Sequence, residues 1–217
     1  MNTNHDLADM RESYQQYALD EHTAGSDPIA LFAQWFDAVR AAGQVEPNAM
    51  SLATVNSAGQ PSARMVLLKS FSEDGFTFFT HSTSRKGQEI AHNDHVALVF
   101  WWSSLERQVR IEGRAQLLPI AAADAYFARR PRASQLGALA SAQSEVINSR
   151  TELEAQLQQL AITYQDSPVP RPTHWRGYNV KPTSIEFWQG RDSRLHDRLL
   201  YQLCDKHSLW QRERLAP

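Results

Sequence analysis

From Ala49 to Leu117 the chain leaves helical spacing for strand-like segments joined by short turns, and this most constrains the fold. AMSLATV, SARMVLLKSF and FTFFTHS, joined by the turns SAGQP and SEDG, read as three antiparallel strands over 49–55, 62–71 and 76–82. SRKGQEIAHN, 84–93, reads as a short helix entered from a strand, and HVALVFWW as a buried strand. QVRIEGRAQL then alternates: Val109, Ile111, Gly113, Ala115 and Leu117 share one face, and Gln108, Arg110, Glu112, Arg114 and Gln116 the other. Five strands without intervening long helices predict a barrel or a sandwich.

Around this meander the periodicity is helical. Ser26-Asp27-Pro28 supplies an N-cap and a first-turn proline, and Leu31, Phe32, Trp35, Phe36 and Val39 form an apolar stripe that ends before Gly43. Helices are expected at about 120–130, 132–141 and 145–164, followed by the proline-rich loop DSPVPRPTHW. RGYNVKPTSIEFWQG and RLLYQLC read as strands, and WQRERLAP as a short tail. Residues 1–25 are polar, with isolated Met10, Tyr14 and Tyr17, and are expected to be a flexible arm. Residues 26–217 are expected to be one domain, mainly β with peripheral helices, an α+β chain.

Basic and acidic residues nearly balance, 22 against 24, so no global field favours nucleic acid or anionic lipid. Only Lys69, Lys86, Lys181 and Lys206 are lysines; every other cation is arginine, the planar fork that suits phosphate and carboxylate. Codon bias explains the same excess, so position must decide. One cysteine, Cys204, excludes an intrachain disulfide framework and a cysteine-built zinc or iron–sulfur site, and no metal is expected. MNTNHDLADMRESYQQYALDEHTAGSDP contains no basic n-region and no apolar h-region, and no run approaches ~18 apolar residues. A cytoplasmic protein without a membrane partner is expected.

No G-x-G-x-x-G follows a strand, and neither G-x-x-x-x-G-K-[ST], H-E-x-x-H nor G-x-S-x-G occurs. A phosphorylated ligand must therefore be held by side chains. Four places offer them. Arg64 to Lys69 is an apolar strand with a cation at each end; strand ends emerging into water give the same pattern. Ser84, Arg85 and Lys86 open a helix, as an anion site or as an ordinary solvated cap. Tyr126 and Arg130 share a helix face, and Pro131 turns Ser134 back toward them; a solvated basic patch is the alternative. Arg194, His196 and Arg198 share one face if extended, which tunes the histidine, although a lone histidine is usually just a satisfied polar side chain. Together these cations suffice for two phosphate dianions, which a cofactor and a substrate could each supply. Trp188 and the aromatic strands can flank a flat heterocycle or simply be core.

The set R-M-V-L-L-K (64–69), F-F-T (78–80), S-R-K (84–86), L-E-R-Q-V (105–109), Y-F-x-x-R-P-R-x-S-Q (126–135), Q-S (143–144), E-F-W-Q-G (186–190), R-L-H-D-R (194–198) and terminal R-L-A-P resembles the pyridoxamine 5′-phosphate oxidase family. The motifs run in that family's order from about Met10 to Pro217. The resemblance implies a split β-barrel that binds FMN noncovalently as a homodimer, with the cofactor at the subunit interface. It implies oxidation of pyridoxamine or pyridoxine 5′-phosphate to pyridoxal 5′-phosphate, with O2 reduced to H2O2.

Carried over by motif position, it assigns FMN to Arg64, Met65, Val66, Leu67, Leu68 and Lys69, with Arg64 near the phosphate. Phe79, Thr80, Arg85, Lys86, Gln108, Gln143, Ser144, Trp188 and Arg198 complete that site. Substrate phosphate falls to Lys69, Tyr126, Arg130 and Ser134, while Arg194 and His196 act as catalytic residues at the pyridine end, and Arg11 with Tyr14 close over it. Two positions depart from the pattern: Phe79 stands where tyrosine is common, and Ala133 where an acidic residue can occur, leaving the Arg130/Arg132 region more positive. The other readings are a flavin reductase or another FMN barrel with a different substrate, a non-catalytic pyridoxal-phosphate carrier or FMN-binding module, and a nucleic-acid binder. The second phosphate set weighs against the first and the near-neutral charge against the last.

Overall fold

The change of period at Ala49 coincides with the first strand of a computed structural model that describes residues 14, 17–204 and 209–217. Helices α1 (Glu21–Ala24) and α2 (Pro28–Ala41) come first. Strands β1 (Ala49–Val55), β2 (Pro61–Leu67), β3 (Ser70–Ser72) and β4 (Gly75–His81) precede α3 (Arg85–His92). Then come β5 (His95–Trp102), β6 (Arg107–Leu117), α4 (Ile120–Ala128), α5 (Arg132–Ala140) and α6 (Arg150–Thr163). β7 (Trp175–Gln189), β8 (Asp197–Cys204) and β9 (Leu209–Leu215) complete the order. The strands hydrogen-bond in the order β2-β1-β5-β6-β7-β4-β3, with β8 between β7 and β9. Among the described residues no helix is long and apolar enough to cross a membrane.

The chain divides into two compact units, one made of residues up to Pro47 with 99–111 and 184–217, the other of 48–98 and 112–183. In the first, the Asp27 side chain accepts from the Ile29 N–H at 2.8 Å and Pro28 opens α2, as the sequence predicts. The stripe Leu31, Phe32, Trp35 and Val39 is buried. Phe32 meets Phe100 at 5.2 Å and Trp102 at 5.7 Å between ring centroids, and Trp35 meets Phe187 edge-on at 5.1 Å. Emptying a fully buried site such as Phe32 costs about 3–5 kcal/mol. The Tyr201 hydroxyl donates to the carbonyls of Ala24 and Gly25, anchoring the end of α1. Within the segment expected to be an arm, Leu19 and Ala24 are buried, while Arg11 lies outside the described residues.

In the second unit, β1 and β2 form an antiparallel hairpin that sets Leu52 opposite Arg64 and Thr54 opposite Ser62. Its turn is closed by the Asn56 side chain, which accepts from the N–H groups of Ala58 and Gln60. The strand expected over 62–71 is two strands. β2 stays with β1, the Leu68 N–H donates to Asn48, the Lys69 N–H donates to Thr77, and β3 continues on β4. Gly113 is explained by a close approach: a Cβ there would lie 2.2 Å from the carbonyl oxygen of Lys181 on β7. A small core of Ala123, Phe127, Leu136, Val169 and Trp175 seats α4 and α5.

Two more expectations are corrected. α6 begins at Arg150, because Ser149 caps it by accepting from the Glu152 N–H, so 145–149 stay outside the helix. The expected tail is β9, paired antiparallel with β8 from Leu209 opposite Cys204 to Leu215 opposite Arg198.

Candidate active site

A cavity of about 820 Å³ opens within the second unit. β2 and the crossover after it bring Arg64, Met65, Val66, Leu67 and Lys69 to its wall, and β4 brings Phe79, Thr80 and His81. α4, the turn at Pro131 and α5 add Tyr126, Arg130 and Ser134, while Lys86 and Gln143 complete the predicted residues that line it. The partner switch after Leu67 exposes Lys69 while Leu68 beside it is 4% exposed and packs as core.

Lys86 is buried, and its Nζ donates to Gln143 Oε1 at 2.7 Å, Thr80 Oγ1 at 3.2 Å and Ser84 Oγ at 3.3 Å. All three partners are neutral oxygens. Burial first, and then repulsion from Arg64, bring its ammonium down to about 8, with Glu89 acting in the opposite direction. Arg64 donates through Nη1 to the Leu52 carbonyl and Thr54 Oγ1, and through Nη2 to Ser62 Oγ and the buried carboxylate of Glu89. Arg85 lies outside the cavity lining; its Nε donates to the same carboxylate at 2.9 Å, and it faces a smaller cleft with Asn56, Gln88 and His92.

The aromatic wall is a stack. Phe79 lies 4.3 Å from Tyr126 and 5.1 Å from Trp175, with interplanar angles of 20° and 10°. Arg130 places Cζ 4.9 Å above Trp175, and its buried Nη1 has no hydrogen-bond partner. His81 packs on His174 at 4.7 Å, and burial, followed by His174, Lys86 and Arg130, holds it at about 4, so it is neutral at pH 7. The sequence reading missed Trp175 and Glu89. Glu89 had a signal, a carboxylate one turn beyond Arg85 on a helix; Trp175 had none, since the sequence places it at the end of the proline-rich loop, whereas the structure opens β7 with it.

The first unit holds the second group of predicted residues. Trp188 lies 4.5 Å from His196, and Tyr14 packs edge-on against both at 5.9 Å. Gly190 makes room for that tyrosine: a Cβ there would lie 2.7 Å from the Tyr14 ring. His196 Nδ1 accepts from the Arg191 N–H at 3.1 Å, which leaves the proton of the neutral ring on Nε2. Partial burial, then Arg194, lower its pKa. The extended face expected over 194–198 does not form. Ser193 and Arg194 adopt φ of 54° and 60° in a tight turn, and β8 begins at Asp197. Arg198 donates to Glu186 Oε1 at 2.8 Å and to the Ala216 carbonyl at 2.9 Å. Gln108 is half-buried on β6, and Ser144, in the second unit, is exposed at φ 80°.

Comparison with known proteins matches these features to one family. A family model described as pyridoxamine 5′-phosphate oxidase matches residues 36–164, and one described as the pyridoxine 5′-phosphate oxidase C-terminal dimerisation region matches 175–217. The pyridoxine/pyridoxamine 5′-phosphate oxidase of Acaryochloris marina is 54% identical over 97% of this chain and 95% of its own. The protein of that name from a Janthinobacterium species is 52% identical over 97% of this chain and 99% of its own. Among solved structures, PhzG from Burkholderia lata 383, in complex with tetrahydrophenazine-1-carboxylic acid, superposes with a TM-score of 0.88 at 30% identity, covering 95% of this chain and all of the other. The split β-barrel expected from the sequence is thus the fold shared with solved relatives, and the chain belongs to the pyridoxamine 5′-phosphate oxidase family.

Proposed function

We propose that this protein is an FMN-dependent oxidase that converts pyridoxamine and pyridoxine 5′-phosphates to pyridoxal 5′-phosphate. The observation that carries the reading is the one cavity that gathers Arg64 and Lys86 together with Lys69, Tyr126, Arg130 and Ser134 around stacked aromatic rings. The donor set suits two phosphorylated, flat molecules. Lys86 has only neutral oxygen partners, and Arg130 keeps a buried nitrogen unpaired. Identity above one half with oxidases of that name supports the vitamers over the phenazine ligand of the 30% identical structural relative.

In this reading Arg64, Met65, Val66, Leu67, Leu68, Lys69, Phe79, Thr80, Arg85, Lys86, Gln143 and Ser144 hold FMN, and motif position assigns Gln108, Trp188 and Arg198 to the same cofactor. Bound flavin supplies the two-electron oxidation and returns those electrons to O2 as H2O2. The chain supplies binding, orientation and electrostatics. Lys69, Tyr126, Arg130 and Ser134 grip the substrate phosphate. Arg194 orients the pyridine end, and His196, its proton on Nε2, donates to or exchanges a proton with the same end. Arg11 and Tyr14 close over it from an arm of residues 1–25, with 26–217 as the single FMN-binding split-barrel domain. The protein works as a cytoplasmic homodimer with FMN at the subunit interface, a state supported by the match of 175–217 to a dimerisation region.

The test is to purify the protein, reconstitute it with FMN, and assay H2O2 and pyridoxal 5′-phosphate with each vitamer. A protein that takes up no FMN, or takes it up and oxidises neither vitamer, refutes the proposal.

A further inference from the structure

Behind the cations of the cavity lies a carboxylate to which neither motif nor resemblance assigns a role. Glu89, on α3, is 5% exposed, and its carboxylate accepts from four groups. Thr54 Oγ1 lies 2.5 Å and Ser62 Oγ 2.8 Å from Oε2, Arg64 Nη2 lies 3.2 Å from the same oxygen, and Arg85 Nε lies 2.9 Å from Oε1. The hairpin register explains the convergence: Thr54 is opposite Ser62, and Arg64 reaches back between them. Burial alone pushes the carboxyl up, and the hydrogen bonds from Thr54, Ser62, Arg85 and Arg64 reverse this and hold it at about 2.

The consequences fall on Arg64. Both terminal nitrogens are engaged, Nη1 with Leu52 and Thr54, Nη2 with Ser62 and Glu89, which leaves Nε to an incoming anion. The guanidinium is therefore held in one direction at the wall. The carboxylate also bridges Arg64 on the cavity wall to Arg85 outside it, which ties the guanidinium of Arg64 to α3.

We propose that Glu89 is a positioning residue for the cofactor phosphate, fixing the direction of Arg64. This rests on the reading that FMN phosphate binds at Arg64 and Lys86. Lys86, whose titration sets the alkaline limb of FMN binding, faces Thr80, Ser84 and Gln143 through hydrogen bonds, Arg64 and Glu89 through charge, and the neutral ring of His81.

The experiment is FMN titration of full-length apoprotein, followed by flavin fluorescence across neutral to alkaline pH, for wild type, Glu89→Gln and Glu89→Asp. Glu89→Gln is expected to weaken FMN binding by about tenfold or more at neutral pH, the equivalent of one charge-assisted contact. Glu89→Asp keeps the charge but is one methylene shorter, so affinity should fall while the alkaline limb stays at its wild-type position. Should Glu89→Gln not fold, Glu89→Asp carries the test. Wild-type affinity in either variant, or a displaced alkaline limb in Glu89→Asp, overturns the proposal. Wild-type protein that binds no FMN at any pH overturns the underlying reading as well, and is recognised before any variant is compared.

Discussion

Replacing Lys86 by methionine should stabilise the empty protein while weakening its hold on FMN, two effects of opposite sign from one buried ammonium. Methionine keeps a long apolar stem in the space that the lysine stem fills. A lysine whose pKa falls from 10.5 to about 8 on folding carries an ammonium disfavoured by roughly 3 kcal/mol at neutral pH. Water in the cavity screens part of this, so about 1–3 kcal/mol is expected. The folded pKa is below the unfolded one, so the unfolded chain binds more protons between about 8 and 10.5. Wild-type apoprotein should therefore gain stability as pH rises through that window, and Lys86→Met should lack the gain. Binding runs the other way. A charge-assisted hydrogen bond to phosphate is worth about 1.5–3 kcal/mol, so Lys86→Met should raise the Kd for FMN by about 10- to 150-fold. An anion raises the lysine pKa, so wild-type affinity is full below about 8 and declines as pH rises past it. Urea denaturation of the apoprotein and flavin fluorescence titration, each repeated across pH, read the two effects separately. A variant that is less stable than wild type at neutral pH, or that binds FMN as tightly, refutes the reasoning.

Arg194→Ala should retain its flavin and lose most of its turnover, because Arg194 sits in an exposed turn of the first unit and is assigned to substrate; equal losses of FMN content and kcat would contradict that assignment. Gly113→Ala must push a methyl into the Lys181 carbonyl across the β6–β7 pair, and a fall in Tm of several degrees is expected, against no change if the strands simply part. His81 is held at about 4 by burial and by His174, Lys86 and Arg130, below its unfolded value of 6.5. Stability tied to it is present above pH 6.5 and lost as pH falls toward 4, so His81→Asn should flatten the urea midpoint across that window, and an unchanged slope would show that His81 does not set it.

The meander was legible because period-two burial reports directly on a strand with one face in the core, as in the alternation of β6 from Val109 to Ala115. The cap and stripe of α2 were legible for the same reason, since each depends on residues a turn apart. What escaped depends on partners distant in sequence. Nothing in SARMVLLKSF marks the change from β1 to β4 at Leu68, yet that change brings Lys69 to the cavity wall. WQRERL carries too many charges to look like a strand, and β8 alone makes it one by pairing along its length. The turn at Ser193 and Arg194 breaks a pattern that alternates correctly on paper.

Arginine partners then separate the two explanations of the arginine excess better than composition can. Arg40 and Arg150 pair with Asp37 and Glu154, exposed acids away from the cavity, where a lysine would make a comparable contact, whereas Arg171 divides its guanidinium between Asp124 and the carbonyls of Pro172, Thr173 and Trp175. Arg64 uses two nitrogens in four directions at once, a task for a planar fork and not for an ammonium. Arg130 sets its Cζ over Trp175 with a buried nitrogen unpaired, a desolvation cost that an anion in the cavity would offset. Among the acids Glu89 braces Arg64, Glu186 is buried between Arg110 and Arg198, and exposed ones such as Asp37 and Glu154 pair on the surface, while among the described residues the cavity lining carries Arg64, Lys69, Lys86, Arg129 and Arg130 and no carboxylate. A neutral total and a cationic site arise from the same distribution: the carboxylates that balance the total are excluded from the cavity lining, the one that orients Arg64 included.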